Sequence, residues 1–297
     1  MLHPTDPLTV AVTGPTGTLG HGLMGLLEAD DRIERVIGVG RRPFDPAREG
    51  WTKMDYRRGD VRDPRALRRV FAGADVVVHL AFMITGTAGR ETIRAINVDG
   101  TLNAFTAAAA AGARRFVYAS SVAAYGFAAD NPIGMTEDQP VRPAEHLFYA
   151  REKAEIEQLL QDAAARHPPL ALYVLRPSIV LGPHSVGGKA LLPGPLEQLG
   201  RVLVAAARRL PPVLPAVVAP LPMQFVHERD VGEALRLCIV GAGPPGPYNI
   251  AGDGVLSAAD VARELGLVVL PVPRRPVQAA ARLLAAVPFA PPIAGWA

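Results

Sequence analysis

Reactive side chains are scarce in this chain of 297 residues: Cys238 is its one cysteine, and Lys53, Lys153 and Lys189 are its only lysines. A single thiol excludes an internal disulfide framework and leaves no thiolate set for a metal, so a cytoplasmic setting and no metal site are the expectations. Long apolar runs are missing too. The most apolar stretch, 202–222, is broken by Arg208, Arg209 and several prolines, which no membrane-spanning helix tolerates. The first seven residues lack a basic region followed by an apolar one, so no signal peptide is expected. There is no low-complexity block and no internal repeat. Charge of one sign is also lacking: 31 basic residues stand against 28 acidic ones, a net charge of +3, and the arginines are scattered among the acids, which argues against a nucleic-acid partner.

The first 180 residues alternate short β-branched runs with helical patterns, the signature of a parallel sheet covered on both faces. The strand candidates are Leu8–Thr13, Val36–Val39, Asp75–Leu80, Arg115–Ser120 and Leu170–Leu175, with Lys53–Arg58 a weaker, polar edge candidate. Helical stretches lie near Leu19–Ala29, Arg65–Phe71, Glu91–Ala111 and His146–Arg166. Beyond Arg176 the pattern becomes rich in proline and glycine, with helices expected near Leu196–Arg209, Asp230–Val240 and Ala258–Leu265 and a late strand at Pro244–Ile250. The fold expected is α/β, a doubly wound parallel Rossmann sheet with a smaller C-terminal substrate lobe. Residues 1–182 plus 223–251 form the dinucleotide-binding domain in this reading, and residues 183–222 plus 252–297 the lobe.

Directly after the first strand comes Gly14-Pro15-Thr16-Gly17-Thr18-Leu19-Gly20, glycines at three-residue spacing that open into a helix. Gly14 permits a tight turn, Gly17 lets backbone approach a pyrophosphate, and Gly20 allows close packing of the helix on the strand. The helix N-terminus offers amides and a positive dipole end to phosphates. After the second strand, where NAD-binding versions carry a carboxylate for the ribose, this chain has Arg41 and Arg42. Guanidinium groups suit a 2′-phosphate, which favours NADP (as NADPH) with NAD as second choice; two solvated surface arginines are the rival reading. Asp60 and the Val61 amide follow the third-strand candidate and could meet an adenine edge, although Asp60 or Asp63 could equally cap the next helix. His79, ending a buried strand, reads as a satisfied core residue.

Tyr149-Ala150-Arg151-Glu152-Lys153 lies near the start of the helical stretch His146–Arg166, and the i, i+4 spacing puts Tyr149 and Lys153 on one face. A free tyrosine, with a pKa of about 10, exchanges protons poorly near neutrality, and a nearby ammonium stabilises the phenolate. Such a pair can give a proton to a carbonyl as hydride arrives. Ser121, at the carboxyl end of the fifth strand in Ser120-Ser121-Val122-Ala123-Ala124-Tyr125-Gly126, faces the crevice where ligands bind in open sheets, and its hydroxyl can polarise the same oxygen.

Taken together with His79-Leu80-Ala81, Asn97-Val98-Asp99-Gly100-Thr101, Leu175-Arg176-Pro177, Phe225–Val231 and Tyr248–Gly252, these segments resemble extended short-chain dehydrogenase/reductases of the broad epimerase/dehydratase group over nearly the whole chain. The resemblance implies Tyr149 as acid/base, Lys153 as its partner, Ser121 as the carbonyl contact, and Asn97 as support for the fourth helix and a water relay. The cofactor-binding set it implies is Gly14, Thr16, Gly17, Thr18, Leu19, Gly20, Arg41, Arg42, Asp60, Val61, Leu80, Ala81, Tyr149, Lys153 and Pro177. Dimers through the fourth and fifth helices are common among similar proteins, so a homodimer is a possible arrangement.

Three departures narrow the chemistry. Sugar-nucleotide dehydratases of this type place Asp-Glu after the active-site hydroxyl, where this chain has Val122 and Ala123. Sugar-nucleotide epimerases carry an asparagine shortly after the sixth strand, where this chain reads Arg176-Pro177-Ser178-Ile179. Segment 182–222 is rich in Leu, Val, Ala, Pro and Gly, which suits an apolar substrate; a packed hairpin or dimer surface is the rival reading. The leading expectation is an NADPH-dependent ketoreductase, or the reverse alcohol dehydrogenase, acting on a mostly apolar small-molecule carbonyl or alcohol. An NAD-dependent sugar-nucleotide epimerase and a non-catalytic NADP-binding regulator are the alternatives.

Overall fold

The computed structural model describes residues 7–84, 89–128, 130–143, 147–185, 215–218, 222–264 and 268–271. They fall into two compact units, one within Met1–His184 and Val226–Ile250, the other within Ser185–Phe225 and Ala251–Ala297.

The first unit holds β1 (Leu8–Thr13), β2 (Ile33–Gly40), β3 (Met54–Arg58), β4 (Val76–His79), β5 (Arg115–Ala119) and β6 (Ala171–Pro177). With β11 (Gly246–Ile250) they form a seven-stranded sheet in the order β11-β6-β5-β4-β1-β2-β3, parallel throughout. The Rossmann-type α/β architecture expected from the sequence is therefore present. Two-residue alternation sends successive side chains to opposite faces. Val77, Phe116 and Tyr118 enter one core with Phe105 and Leu160, whereas Val76, Val78 and Val117 enter the other with Leu23, Leu27 and Leu235. Both faces are apolar because both are covered, by α2 (Pro64–Phe71), α4 (Gly100–Ala110) and α5 (Phe148–Arg166) on one side and α1 (Thr18–Ala29) and α6 (Glu228–Val240) on the other. Each such side chain contributes roughly 1.5–3 kcal/mol by leaving water. The polar strand candidate is indeed the edge strand β3, whose Asp55 pairs with Arg35 and Arg57. Charge on an exposed edge discourages pairing with another chain.

Strand order reverses at β1, which has β2 on one side and β4 on the other. Ligands of open α/β sheets bind outside the strand ends at such a point. The stretch expected as one helix from 91 to 111 differs: α3 (Arg90–Arg94) runs into a π turn at Ala95–Asp99 before α4 begins. The Thr101 hydroxyl donates to the Asn97 carbonyl, a side-chain bond that competes with the regular helical ladder at this turn. β7 (Ile179–Leu181) forms a two-stranded sheet with β10 (Phe225–His227).

In the second unit, β8 (Pro215–Val218) runs parallel to β13 (Val268–Pro271), and β9 (Pro222–Met223) antiparallel to β12 (Leu256–Ser257). α7 (Ala258–Glu264) starts from a reciprocal cap: Ser257 N donates to Asp260 Oδ2 at 2.8 Å, and Asp260 N to Ser257 Oγ at 3.2 Å. The helix expected near 196–209 and most of the apolar segment 182–222 lie outside the described residues. Among the described residues no helix is long and apolar enough to cross a membrane, and none forms a group of His, Cys, Asp and Glu able to hold a metal.

Candidate active site

The glycine turn sits at the reversal point. Gly14 has φ +71° and donates its amide to the Val39 carbonyl at 2.9 Å. A Cβ there would stand 3.0 Å from the Ala81 amide nitrogen, so the ends of β1 and β4 approach closely only through glycine. Gly17 is the N-cap of α1, and no side chain caps it. A Cβ at Gly20 would stand 2.0 Å from the Pro15 carbonyl oxygen, so only glycine lets the helix close on the turn that leaves β1. Thr16 is exposed, Leu19 is half-buried, and the Thr18 hydroxyl donates to the His184 carbonyl at 2.7 Å.

Arg41 and Arg42 directly follow β2 and are exposed. The capping question at Asp60 and Asp63 is answered by geometry. Asp63 caps α2, accepting from the amides of Arg65 and Ala66 at 2.9 and 3.0 Å. Asp60 binds Arg62 instead, through its backbone amide at 2.9 Å and its guanidinium at 2.7 Å, and that hydrogen-bonded guanidinium holds the carboxyl below its usual range. Val61 is buried beside it. His79 shares hydrogen bonds with Thr13 Oγ1 at 2.9 Å and Thr101 Oγ1 at 3.1 Å, and burial pushes its pKa down to about 3. It is a neutral tie between β1 and α4.

The chemical end is built on β5 and α5. After β5 the chain turns at Ser121, whose Oγ accepts the Ala123 amide at 3.1 Å and so caps a short 3-10 turn, Val122–Tyr125. Tyr149 lies in the first turn of α5, near the Ser121 hydroxyl. Burial pushes its phenol above the usual value, and the Ser121 hydroxyl opposes that rise. Lys153 follows one turn later, 3% exposed; its ammonium donates to the Ala119 carbonyl at 2.7 Å and the Tyr118 hydroxyl at 3.1 Å. Burial pushes Lys153 down to about 7, with Glu157 and Glu152 opposing.

The four residues expected to carry chemistry thus share one neighbourhood, into which Asn97 is tied by its side chain. Its Oδ1 accepts the Met83 amide at 2.7 Å, while Nδ2 donates to the Met83 carbonyl at 3.0 Å and to Glu152 at 2.7 Å. Asn97 therefore pins the loop after β4 to α5. Leu80 and Ala81 begin that loop, and Pro177 is buried at the end of β6. Sequence reasoning missed a second buried network. Glu157 takes Arg176 at 2.7 Å and also the Ser120 hydroxyl, while Arg176 donates to the Tyr125 hydroxyl at 2.6 Å, which donates to Asn249 at 2.8 Å. The available signal was periodicity: Tyr149, Lys153 and Glu157 recur at four-residue spacing along one helix face.

A family model described as NAD dependent epimerase/dehydratase family matches residues 10–251. The chain belongs to this family. An uncharacterised protein of Mycobacterium tuberculosis is 28% identical over 279 residues, covering 91% of this chain and 69% of its own length. Ceramide reductase of Caulobacter vibrioides is 33% identical over 228 residues, covering 76% of this chain and 59% of that protein. Among solved structures, the UDP-Glc/GlcNAc 4-epimerase of Campylobacter jejuni matches with TM-score 0.72 at 19% identity, over 90% of this chain and 87% of that one. MoeE5 in complex with UDP-glucose and NAD matches with TM-score 0.66 at 28% identity, over 89% and 85%. Within the family, this chain places a half-buried Val122 and a buried Ala123 beside Ser121, with no carboxylate at either position.

Proposed function

We propose that the chain is an NADPH-dependent reductase of apolar carbonyl compounds, or the corresponding alcohol dehydrogenase. The observation that carries this reading is the Ser121–Tyr149 hydroxyl pair set beside a buried ammonium, with apolar Val122 and Ala123 where an acid and base for water elimination would stand. The turn fits a dinucleotide: Gly14 and Gly17 leave room for a pyrophosphate beside the backbone, the α1 N-terminus carries no side-chain cap, and Arg41 and Arg42 suit a 2′-phosphate. The cofactor, when bound, supplies the hydride. Ser121 polarises the carbonyl oxygen, Tyr149 gives it a proton, and Lys153 stabilises the phenolate left behind.

Apolar side chains beside Tyr149 and beyond the strand ends support an apolar substrate. Phe82 meets Tyr149 edge to face at 5.6 Å, and Ile84, Phe127, Ile179 and Leu181, which follow β4, β5 and β6, are all exposed. Such a rim suits a hydrocarbon chain better than a sugar nucleotide. Similarity to a protein named ceramide reductase points the same way. Similarity to MoeE5, solved with UDP-glucose and NAD, favours the second reading, a sugar-nucleotide epimerase.

Fluorescence titration with NADPH and NADH, followed by turnover of long-chain ketones and of UDP-hexoses, separates the two. NADPH preference with ketone reduction is expected. Protein that retains NAD through purification and interconverts UDP-hexoses without reducing ketones would sink the reductase reading.

A further inference from the structure

The surroundings of Lys153 hold a feature that proton transfer to a carbonyl does not by itself require. The ammonium lies 3.7 Å from the ring centre of Phe82 and 4.8 Å from that of Tyr118, with the Tyr149 ring centre at 5.8 Å. Its hydrogen bonds run to β5, to the Tyr118 hydroxyl and the Ala119 carbonyl. Phe82 is held over it from the other side, because Asn97 brackets the backbone of the adjoining Met83. We propose that Tyr118 and Phe82 are positioning residues: they form a box, one hydroxyl and two aromatic faces, that keeps Lys153 an ammonium inside the core and fixes it beside Tyr149. This rests on the reading of Lys153 as the charge partner of Tyr149.

The groups facing Lys153 show why a box is needed. From α5 come Glu152, Glu157 and Tyr149, from β5 Tyr118, and from β4 His79. The two carboxylates are already engaged, Glu157 by Arg176 and Glu152 by Asn97. His79 is neutral, its pKa pushed down to about 3 by burial and by Lys153 itself. Burial raises the Tyr118 phenol well above its usual value, so it stays protonated and acts on Lys153 through a lone pair and its ring face, not through a charge. What keeps the proton on a desolvated amine is then the charge of Glu157 and Glu152 together with a hydroxyl oxygen, a carbonyl oxygen and a cation–π contact, against burial that brings the group to about 7. A group so placed near neutrality responds to the loss of one partner.

With three lysines in the chain, direct observation is practical. Lysine labelled with ¹³C and ¹⁵N is incorporated, the side-chain resonances are assigned with Lys53→Arg and Lys189→Arg, and Lys153 is titrated by NMR in the full chain without cofactor or substrate. Wild type is expected to titrate near 7. Tyr118→Phe is expected to lower the midpoint by about one unit, the size of one hydrogen bond to an ionised group. Phe82→Leu lowers it by less. A merely structural role would loosen the core, admit water and raise the midpoint. An unchanged or raised midpoint in the variants, or a wild-type Lys153 that titrates with the other lysines, overturns the proposal. If Tyr118→Phe does not fold, Phe82→Leu decides by the same criterion. Because no turnover is measured, failure here is distinguishable from failure of the reductase reading.

Discussion

On the β2–β3 side of β1 the site is made of backbone: a left-handed glycine, an uncapped helix start, and exposed arginines beyond them. On the β4–β5–β6 side it is made of buried side chains, with His79, Asn97, Glu152, Lys153, Glu157 and Arg176 all in the core. The first region works by what it omits, since a Cβ at Gly14 or Gly20 would occupy the space that the turn needs. The second works by desolvation, which moves Lys153 and Tyr149 in opposite directions from their solution values. Recognition of a charged cofactor tolerates solvent, whereas proton transfer near neutrality requires perturbed groups.

The comparison can be broken most forcefully at Tyr149. Tyr149→Phe is expected to reduce ketone turnover by about 10²–10⁴-fold while NADPH affinity, measured by fluorescence, is preserved. A variant with normal turnover would remove the second region's chemical role. Next comes Glu157→Ala, which strands the Arg176 guanidinium at 3% exposure; a loss of about 3–5 kcal/mol in urea unfolding is expected.

Acid tests the same region without mutation. His79 is about 3 when folded and about 6.5 when unfolded, so the unfolded chain binds more protons between those values and stability falls as pH drops through that window. Lys153 adds a slope of the same sign at higher pH: with a folded value near 7 against about 10.5 unfolded, stability rises with pH between the two. Urea midpoints at pH 5, 7 and 9 should therefore increase in that order, and a flat profile would mean that neither group is buried as described.

The cofactor region should yield smaller effects. Replacing Arg41 and Arg42 together by serine is expected to weaken NADPH binding about tenfold and NADH binding little, as one charge-assisted phosphate contact would. Equal losses for both cofactors would return these arginines to the solvated surface. Smallest is Arg62→Ala, which removes an exposed pair with Asp60; its urea midpoint is expected to match that of wild type, in contrast to Glu157→Ala.

Legibility in the sequence followed the same division. Glycine spacing is a local signal, so the turn, the sheet, the edge position of β3 and the Tyr149–Lys153 face could be read from the chain. Burial of charge is a tertiary property. Nothing local in Glu157 or Arg176 announces that residues 19 positions apart in sequence meet in the core. The π turn was equally invisible, because Ala95–Asp99 carries an ordinary helical pattern and only the bonds of Asn97 and Thr101 distinguish it. Asp60 and Asp63 both suited the cap, and which carboxylate reached the α2 amides depended on backbone geometry.

The place of β11 in the sheet bears on how the molecule is assembled during synthesis. Strands β1 to β3 pair with near neighbours in sequence and can form early, as local contacts do. β6 gains its outer partner only from residues 246–250, after the chain has passed through the second unit, and Asn249 on that strand is what the Tyr125 hydroxyl binds. Until then β6 is an open edge and the Arg176 network lacks its last member, so a stalled or clipped chain would hold a finished glycine turn beside an unfinished, aggregation-prone β6 flank.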